Sequence, residues 1–199
     1  MKTVALANPG PRSLGGERLR TLAIMLAVGV AIAGAVLLLD RSGAASYTTI
    51  ELTGDISGPR PLVGGSPPDF SATTVDGKPF ALADLKGRPV WLTFGASWCA
   101  DCRAEAPDLE ATSRRYAAQG LSVVSIWIKE GDQEVRDYAT RVGLDFTMIA
   151  DPSTTLASRY RIYGLPTHFF INPDGTIREI RLGGLPPEEM DRLARSILQ

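Results

Sequence analysis

Two kinds of hydrophobic spacing divide the chain. Residues 21–39, TLAIMLAVGVAIAGAVLLL, are nineteen positions without a charge. As a helix rising about 1.5 Å per residue they reach roughly 29 Å, close to the roughly 30 Å hydrocarbon thickness of a bilayer, which predicts a transmembrane helix. Residues 40–61 mix Gly, Pro, Ser and Thr with few apolar anchors and read as a tether extended by Pro59 and Pro61. From residue 62 onward the apolar residues come in short blocks separated by turn signals, the pattern of a packed domain running to residue 199.

Within that domain DFSATTV and PFALADL flank Asp76, Gly77 and Lys78, which predicts a leading hairpin. PVWLTFG (89–95) and LSVVSIWI (121–128) are unbroken apolar runs, the mark of strands covered on both faces. Between them Ala106, Leu109, Tyr116 and Ala117 keep near-helical spacing up to Gly120. A second helix is expected with Asp132 as N-cap and Val135, Tyr138, Ala139 and Val142 as its apolar stripe. FTMIA (146–150) follows as a strand, then a brief helix capped by Ser153 and bearing Leu156 and Tyr160. THFFI (167–171), a turn at Asn172-Pro173-Asp174-Gly175, a last strand with Ile177 out of phase with Ile180 and Leu182, and a helix starting near Pro187 complete the chain. Alternating strands and helices closed by a hairpin and a helix make an α/β sandwich around a mixed sheet.

Composition limits the chemistry. The 199 residues hold two cysteines and one histidine. That is too few for a disulfide scaffold, a four-ligand zinc site or an iron–sulfur cluster. The net charge of −1 conceals an asymmetry: Lys2, Arg12, Arg18, Arg20 and Arg41 against Glu17 and Asp40 make the first 41 residues basic, and the rest is acidic. Arginines before the apolar run, with only the Asp40 and Arg41 pair after it, put residues 1–20 in the cytoplasm and the domain outside. The run exceeds the roughly 7–15 residues of a signal-peptide core, so an uncleaved anchor is preferred to a cleaved signal with Gly43, Ala44 and Ala45 at the cleavage site. No basic footprint for nucleic acid is present.

The two cysteines stand as Trp98-Cys99-Ala100-Asp101-Cys102 where a buried strand hands over to a helix. Unpaired backbone N–H groups and the helix dipole stabilise a thiolate there. Two intervening residues place both thiols on one turn, so one can attack a disulfide and the other resolve the mixed disulfide. As a staple the pair is poor, since so short a ring stabilises by about 2 kcal/mol at most. Haem attachment would require His where Arg103 stands.

With these motifs the chain resembles the membrane-anchored TlpA/ResA-like branch of the thioredoxin superfamily. The likeness runs from about Leu62 to Gln199 and rests on PPDFSATTVDGKPFALADLKGRPV, WLTFGASWCADCRAEAP and YGLPTHFFINPDG. It implies a thioredoxin fold with an N-terminal hairpin, and an extracytoplasmic thiol:disulfide oxidoreductase without a cofactor, often active in cytochrome c maturation or in reducing other exported proteins. Its partners would be disulfide-containing exported substrates and an upstream membrane electron donor. By the same resemblance Cys99 is the nucleophile, Cys102 the resolving thiol, Pro166 a cis-proline, and Glu105 the active-site glutamate. Trp98, Leu165 and Thr167 are expected to contact substrate, with Trp98 packed beside the disulfide. Base rates alone favour a trans Leu165-Pro166 bond, and Glu105 alone would read as a solvated helix carboxylate.

Two departures matter. Asp101 stands where the family usually has Pro before the second cysteine, and Thr93 stands where thioredoxin has a buried aspartate, so Glu105 is expected to handle its proton. A peroxidase of the peroxiredoxin type is disfavoured because Ala96 occupies the Thr of the P-x-x-x-T-x-x-C pattern. Trp91 and Trp127 are expected in the core or at a sheet edge. His168 reads as a satisfied strand histidine. A metal-delivery module using Cys99, Cys102 and His168, and a thiol oxidase or isomerase of the same fold, remain the alternatives.

Overall fold

The computed structural model describes residues 15–40 and 46–198. The first fourteen positions of the expected cytoplasmic tail, and positions 41–45 with the small-residue triplet, lie outside the described residues. The chain divides near residue 45 into two compact units. The first is α1, Gly15–Asp40. Its window Leu19–Val36 has a mean hydropathy of 2.1 and exposed side chains, which is compatible with a single-pass membrane anchor.

The second unit is built on a five-stranded sheet. Its central strand β4, Val90–Gly95, is buried at every position. β5, Ser122–Ile128, and β6, Thr147–Asp151, join it in parallel on one side, while β8, Thr167–Ile171, and β9, Ile177–Leu182, pair antiparallel on the other. The connections through α2, Ala100–Ala117, and α3, Asp132–Val142, follow from this: parallel neighbours require a crossover, and right-handed crossovers in one direction lay both helices on one face. On that face Trp91, Val123 and Phe170 pack against Leu109 and Tyr116 of α2 and against Met190, Leu193, Ala194 and Ile197 of α5, Pro187–Ile197. Trp127 and Met148 pack on Val135 and Tyr138 of α3. On the opposite face Leu92, Phe94, Phe169 and Ile171 meet α4, Thr155–Arg159, and the hairpin of β2, Ser71–Thr73, with β3, Pro79–Ala81.

The out-of-phase Ile177 has a physical reason. The ladder pairs Phe170 with Glu179 but Ile171 with Ile177, so a bulge absorbs Arg178 and returns Ile177 to the core at 1% exposure. The helix starts differ by one residue from expectation. Gly131, not Asp132, is the N-cap of α3, with its N–H donating to Glu134 Oε2 at 2.8 Å, and Thr154, not Ser153, precedes α4.

Part of the stretch read as a tether is docked. Residues 46–54 lie packed on the domain: β1, Thr48–Thr49, pairs antiparallel with β7, Gly164–Leu165, and Ile50 is buried in the core. The Ile50 N–H donates to Tyr163 O at 3.1 Å, and the Thr53 and Gly54 N–H groups donate to the hydroxyls of Thr154 and Ser158. The Tyr47 ring crosses Gly164 so closely that a Cβ there would come within 2.7 Å of it. A polar, Thr-rich stretch can dock because a sheet edge satisfies its backbone, which the stretch's own side-chain pattern does not advertise.

Candidate active site

β4 ends at Gly95 and α2 starts at Ala100, so the intervening loop presents the cysteines at the helix N-terminus. Cys99 is the N-cap, with extended backbone, and its sulfur accepts the Cys102 N–H at 3.2 Å. Cys99 and Cys102 are joined in a disulfide, with Cα atoms 5.3 Å apart. Gly95 lies directly against the pair: a Cβ there would be in ordinary contact with Cys102 Sγ, at 3.7 Å. Neither cysteine is open to solvent, at 0% and 4% exposure.

The loop is held from the turn after β5 by a residue that the spacing of the chain did not single out. Glu130, 4% exposed, accepts the Ser97 N–H at 2.8 Å and the Ser97 hydroxyl. The signal was an acidic residue two positions past the end of a buried strand, which also describes many solvated loop ends. Arg103 closes the same loop by donating to Ser97 O at 3.0 Å. Trp98, which precedes Cys99 in the chain, is 43% exposed.

The Leu165-Pro166 bond is cis, as the resemblance implied and base rates did not. The Pro166 carbonyl accepts the Gly183 N–H at 2.8 Å. Leu165 and Thr167, expected to meet substrate, are buried at 0% and 7% exposure. Thr167 Oγ1 donates to Gly164 O at 2.7 Å, and the Leu165 edge is already paired with Thr48. The structure therefore closes this edge with residues 46–50 of the same chain. Ser46 ties the segment to the cysteine turn itself, its hydroxyl donating to Asp101 Oδ1 at 2.6 Å and its carbonyl accepting the Gly184 N–H at 3.3 Å.

Glu105, one turn beyond Cys102 on α2, is 6% exposed and is no solvated helix carboxylate. Its Oε2 accepts the Leu185 N–H at 3.0 Å, and its Oε1 lies 3.4 Å from His168 Nε2. His168 has no exposed surface, and its Nδ1 accepts from Trp91 Nε1 at 3.3 Å and lies 3.0 Å from Thr93 Oγ1. No cluster of three or more His, Cys, Asp or Glu side chains occurs among the described residues.

A buried strand, a CxxC pair at a helix start and a cis-proline beside it are the parts of a dithiol–disulfide centre. The AhpC/TSA family model matches residues 63–180. The chain belongs to that family. Within it, the chain is 31% identical over 135 residues to the thiol-disulfide oxidoreductase ResA of Geobacillus kaustophilus, covering 68% of this chain and 78% of that protein. It is 29% identical over 163 residues to ResA of Bacillus anthracis, covering 81% and 93%. Among solved structures, a thiol:disulfide interchange protein of the thioredoxin family from Chlorobium tepidum aligns with a TM-score of 0.63 at 30% identity, over 72% of this chain and all of that one. A secreted Mycobacterium tuberculosis disulfide oxidoreductase aligns with a TM-score of 0.60 at 27% identity, over 64% and 95%. The chain thus has the thioredoxin-like α/β fold and is a thiol-disulfide oxidoreductase whose redox centre is the Cys99 and Cys102 pair.

Proposed function

We propose that this family member works outside the cytoplasm, held to the membrane by α1, and reduces disulfides in exported proteins, including those of cytochrome c maturation. The observation that carries the chemistry is the Cys102 N–H directed at Cys99 Sγ at the start of an 18-residue helix. That donor and the helix dipole favour negative charge on Cys99, which makes it the attacking thiolate. The arginines at positions 12, 18 and 20 support an N-terminus inside and a domain outside.

In the reducing direction the Cys99 thiolate attacks one sulfur of a substrate disulfide, forming a mixed disulfide and releasing the other sulfur as a thiolate that takes up a proton. The Cys102 thiol then gives its proton to the Glu105 carboxylate and attacks Cys99 Sγ. The Cys99–substrate bond breaks, the second substrate sulfur is released and protonated, and the Cys99–Cys102 disulfide remains. Two electrons have passed to the substrate, and a membrane donor must return two. Trp98 offers an exposed aromatic face to the substrate, and Leu165 with Thr167 offers backbone once residues 46–50 move. Movement of that segment, which is tied to Asp101 beside the pair, is also a route by which Cys99, without exposed surface in the seated state, becomes open to a substrate. Asp101, between the thiols, disfavours thiolates and so favours a reductant.

Trapping in cells tests this. Full-length Cys102→Ala cannot resolve its mixed disulfides and is expected to accumulate adducts with exported proteins that dithiothreitol dissolves. Cys99→Ala is expected to form none. Adducts with cytoplasmic proteins would overturn the orientation, and equal trapping by the Cys99 variant would overturn the assignment of the nucleophile.

A further inference from the structure

One buried titratable side chain has no part in the chemistry above. His168 stands on β8, in register with Thr93 of β4 and Arg181 of β9, and has no exposed surface. The indole Nε1–H of Trp91, itself at 0% exposure, has the imidazole Nδ1 as its partner at 3.3 Å. An indole nitrogen only donates, so Nδ1 must offer its lone pair. The neutral ring then carries its proton on Nε2. That nitrogen is buried, has no hydrogen-bond partner among the described residues, and lies 3.4 Å from Glu105 Oε1. The other carboxylate oxygen is held by the Leu185 N–H at 3.0 Å.

One other ionisable group feels Glu105, the buried Tyr138 phenol of α3, while no Lys or Arg among the described residues forms an ion pair with it. From β9, Arg181 turns to Glu179 and Glu189 instead. From β4 come the uncharged Trp91 and Thr93, and the loop after β9 supplies only backbone at Leu185. Among the described residues, His168 is the sole ionisable side chain within ion-pair distance of Glu105. A relay of contacts therefore runs along one face of the sheet, with Trp91 donating to His168 and His168 Nε2 lying 3.4 Å from Glu105 on the helix that bears Cys102.

We propose that His168 is a positioning residue for disulfide exchange: its Nε2–H, oriented by Trp91, holds the Glu105 carboxylate on the Cys102 side of α2. The role is to keep a flexible acid in one place for the resolving step, where the Cys102 proton passes to the carboxylate as Cys102 attacks Cys99 Sγ. His168 neither gains nor loses a proton in that step. The proposal rests on the reading of Glu105 as the proton acceptor.

Two variants separate positioning from packing, because each keeps one end of the relay. His168→Asn retains an acceptor near the Nδ1 position for Trp91 but is too short to reach Glu105. His168→Gln extends an amide N–H toward Glu105 but gives up the acceptor facing Trp91. The reduced full-length protein in detergent is mixed with 5,5′-dithiobis(2-nitrobenzoic acid). The first released thiolate reports attack by Cys99, and the second reports resolution by Cys102. Expected are an unchanged first phase, a second phase slowed about tenfold or more in His168→Asn, and a second phase near wild type in His168→Gln. Glu105→Gln should slow the second phase by about a hundredfold and flatten its pH profile. His168→Asn combined with Glu105→Gln should be no slower than Glu105→Gln alone.

A second phase and pH profile like wild type in His168→Asn, equal slowing by Asn and Gln, or additive slowing in the double variant would each overturn the proposal. A Glu105→Gln variant with the wild-type second phase would overturn the reading of Glu105 and the proposal with it. Normal His168→Asn kinetics beside a slow Glu105→Gln would overturn the proposal alone. Thermal unfolding of the oxidised proteins identifies any variant whose slowing reflects lost fold.

Discussion

Replacing Asp101 by Asn removes a charge from between the two cysteines and little else. Asp101 is the second residue of α2, and its Oδ1 accepts the Ser46 hydroxyl at 2.6 Å, a bond that an asparagine carbonyl can keep. Neighbouring side chains on one helical turn are separated by roughly 6 Å, and at an effective dielectric constant of about 40 a unit charge at that distance disfavours a thiolate by about 1.4 kcal/mol. For a two-electron couple that corresponds to about 30 mV, an upper figure reached where the thiolate is the populated form. The carboxylate also favours the helix N-terminus, but equally in the oxidised and reduced protein, so this contribution cancels from the potential. The assay equilibrates the full-length protein in detergent with glutathione buffers at low and at high salt. Asp101→Asn should raise the reduction potential by up to about 30 mV at low ionic strength, with the gap shrinking by half or more near 1 M salt as the Debye length falls to about 3 Å. Asp101→Pro should raise it as well. An unchanged or lower potential, or a gap indifferent to salt, would refute the electrostatic reading of Asp101.

Two further outcomes follow from the packing around the site. Ile50→Pro removes the N–H donated to Tyr163 O and breaks β1, so residues 46–50 should become open to limited proteolysis and the attack of Cys99 on a protein disulfide should accelerate several-fold; unchanged attack in a protein cleaved at that segment would exclude it as a cover. Burial, with the nearby Asp69, pushes the Tyr160 phenol above its ordinary 10, and its O–H donates to Pro68 O at 2.6 Å. The folded state therefore holds this proton more tightly than the unfolded state, and its contribution is complete below about pH 10 and declines above it by about 1.4 kcal/mol per pH unit. Tyr160→Phe should cost about 1 kcal/mol in urea unfolding at pH 7, with the gap to wild type closing as the pH rises past 10; a gap independent of pH would contradict the burial argument.

The redox pair was legible in the chain because its chemistry is local. Cys99 and Cys102 lie on one turn, and the strand before them and the helix after them have their own periodicities. The last helix was equally plain, since Met190, Leu193, Ala194 and Ile197 share a face and all are fully buried. Even the bulge at Arg178 left a trace, as the phase error of Ile177. The cis bond at Pro166 came from resemblance and not from any local signal.

What only the tertiary structure decided are pairings between residues far apart in the chain. Thr48 meets Leu165, Glu105 meets His168, and Ser97 meets Glu130. Each member alone has a commonplace reading: a polar tether, a solvated helix carboxylate, a strand histidine, an acidic loop end. Hydrophobic periodicity reports which face of an element is buried, because that depends on the element's own geometry. It is silent on which buried polar group finds which partner, because that depends on how strands order themselves around β4. The sequence by itself determined the anchor-length helix, the α/β alternation and the reactive pair; the sheet order determined what surrounds that pair, a glutamate held against a buried histidine and a segment of the same chain seated over the edge beside it.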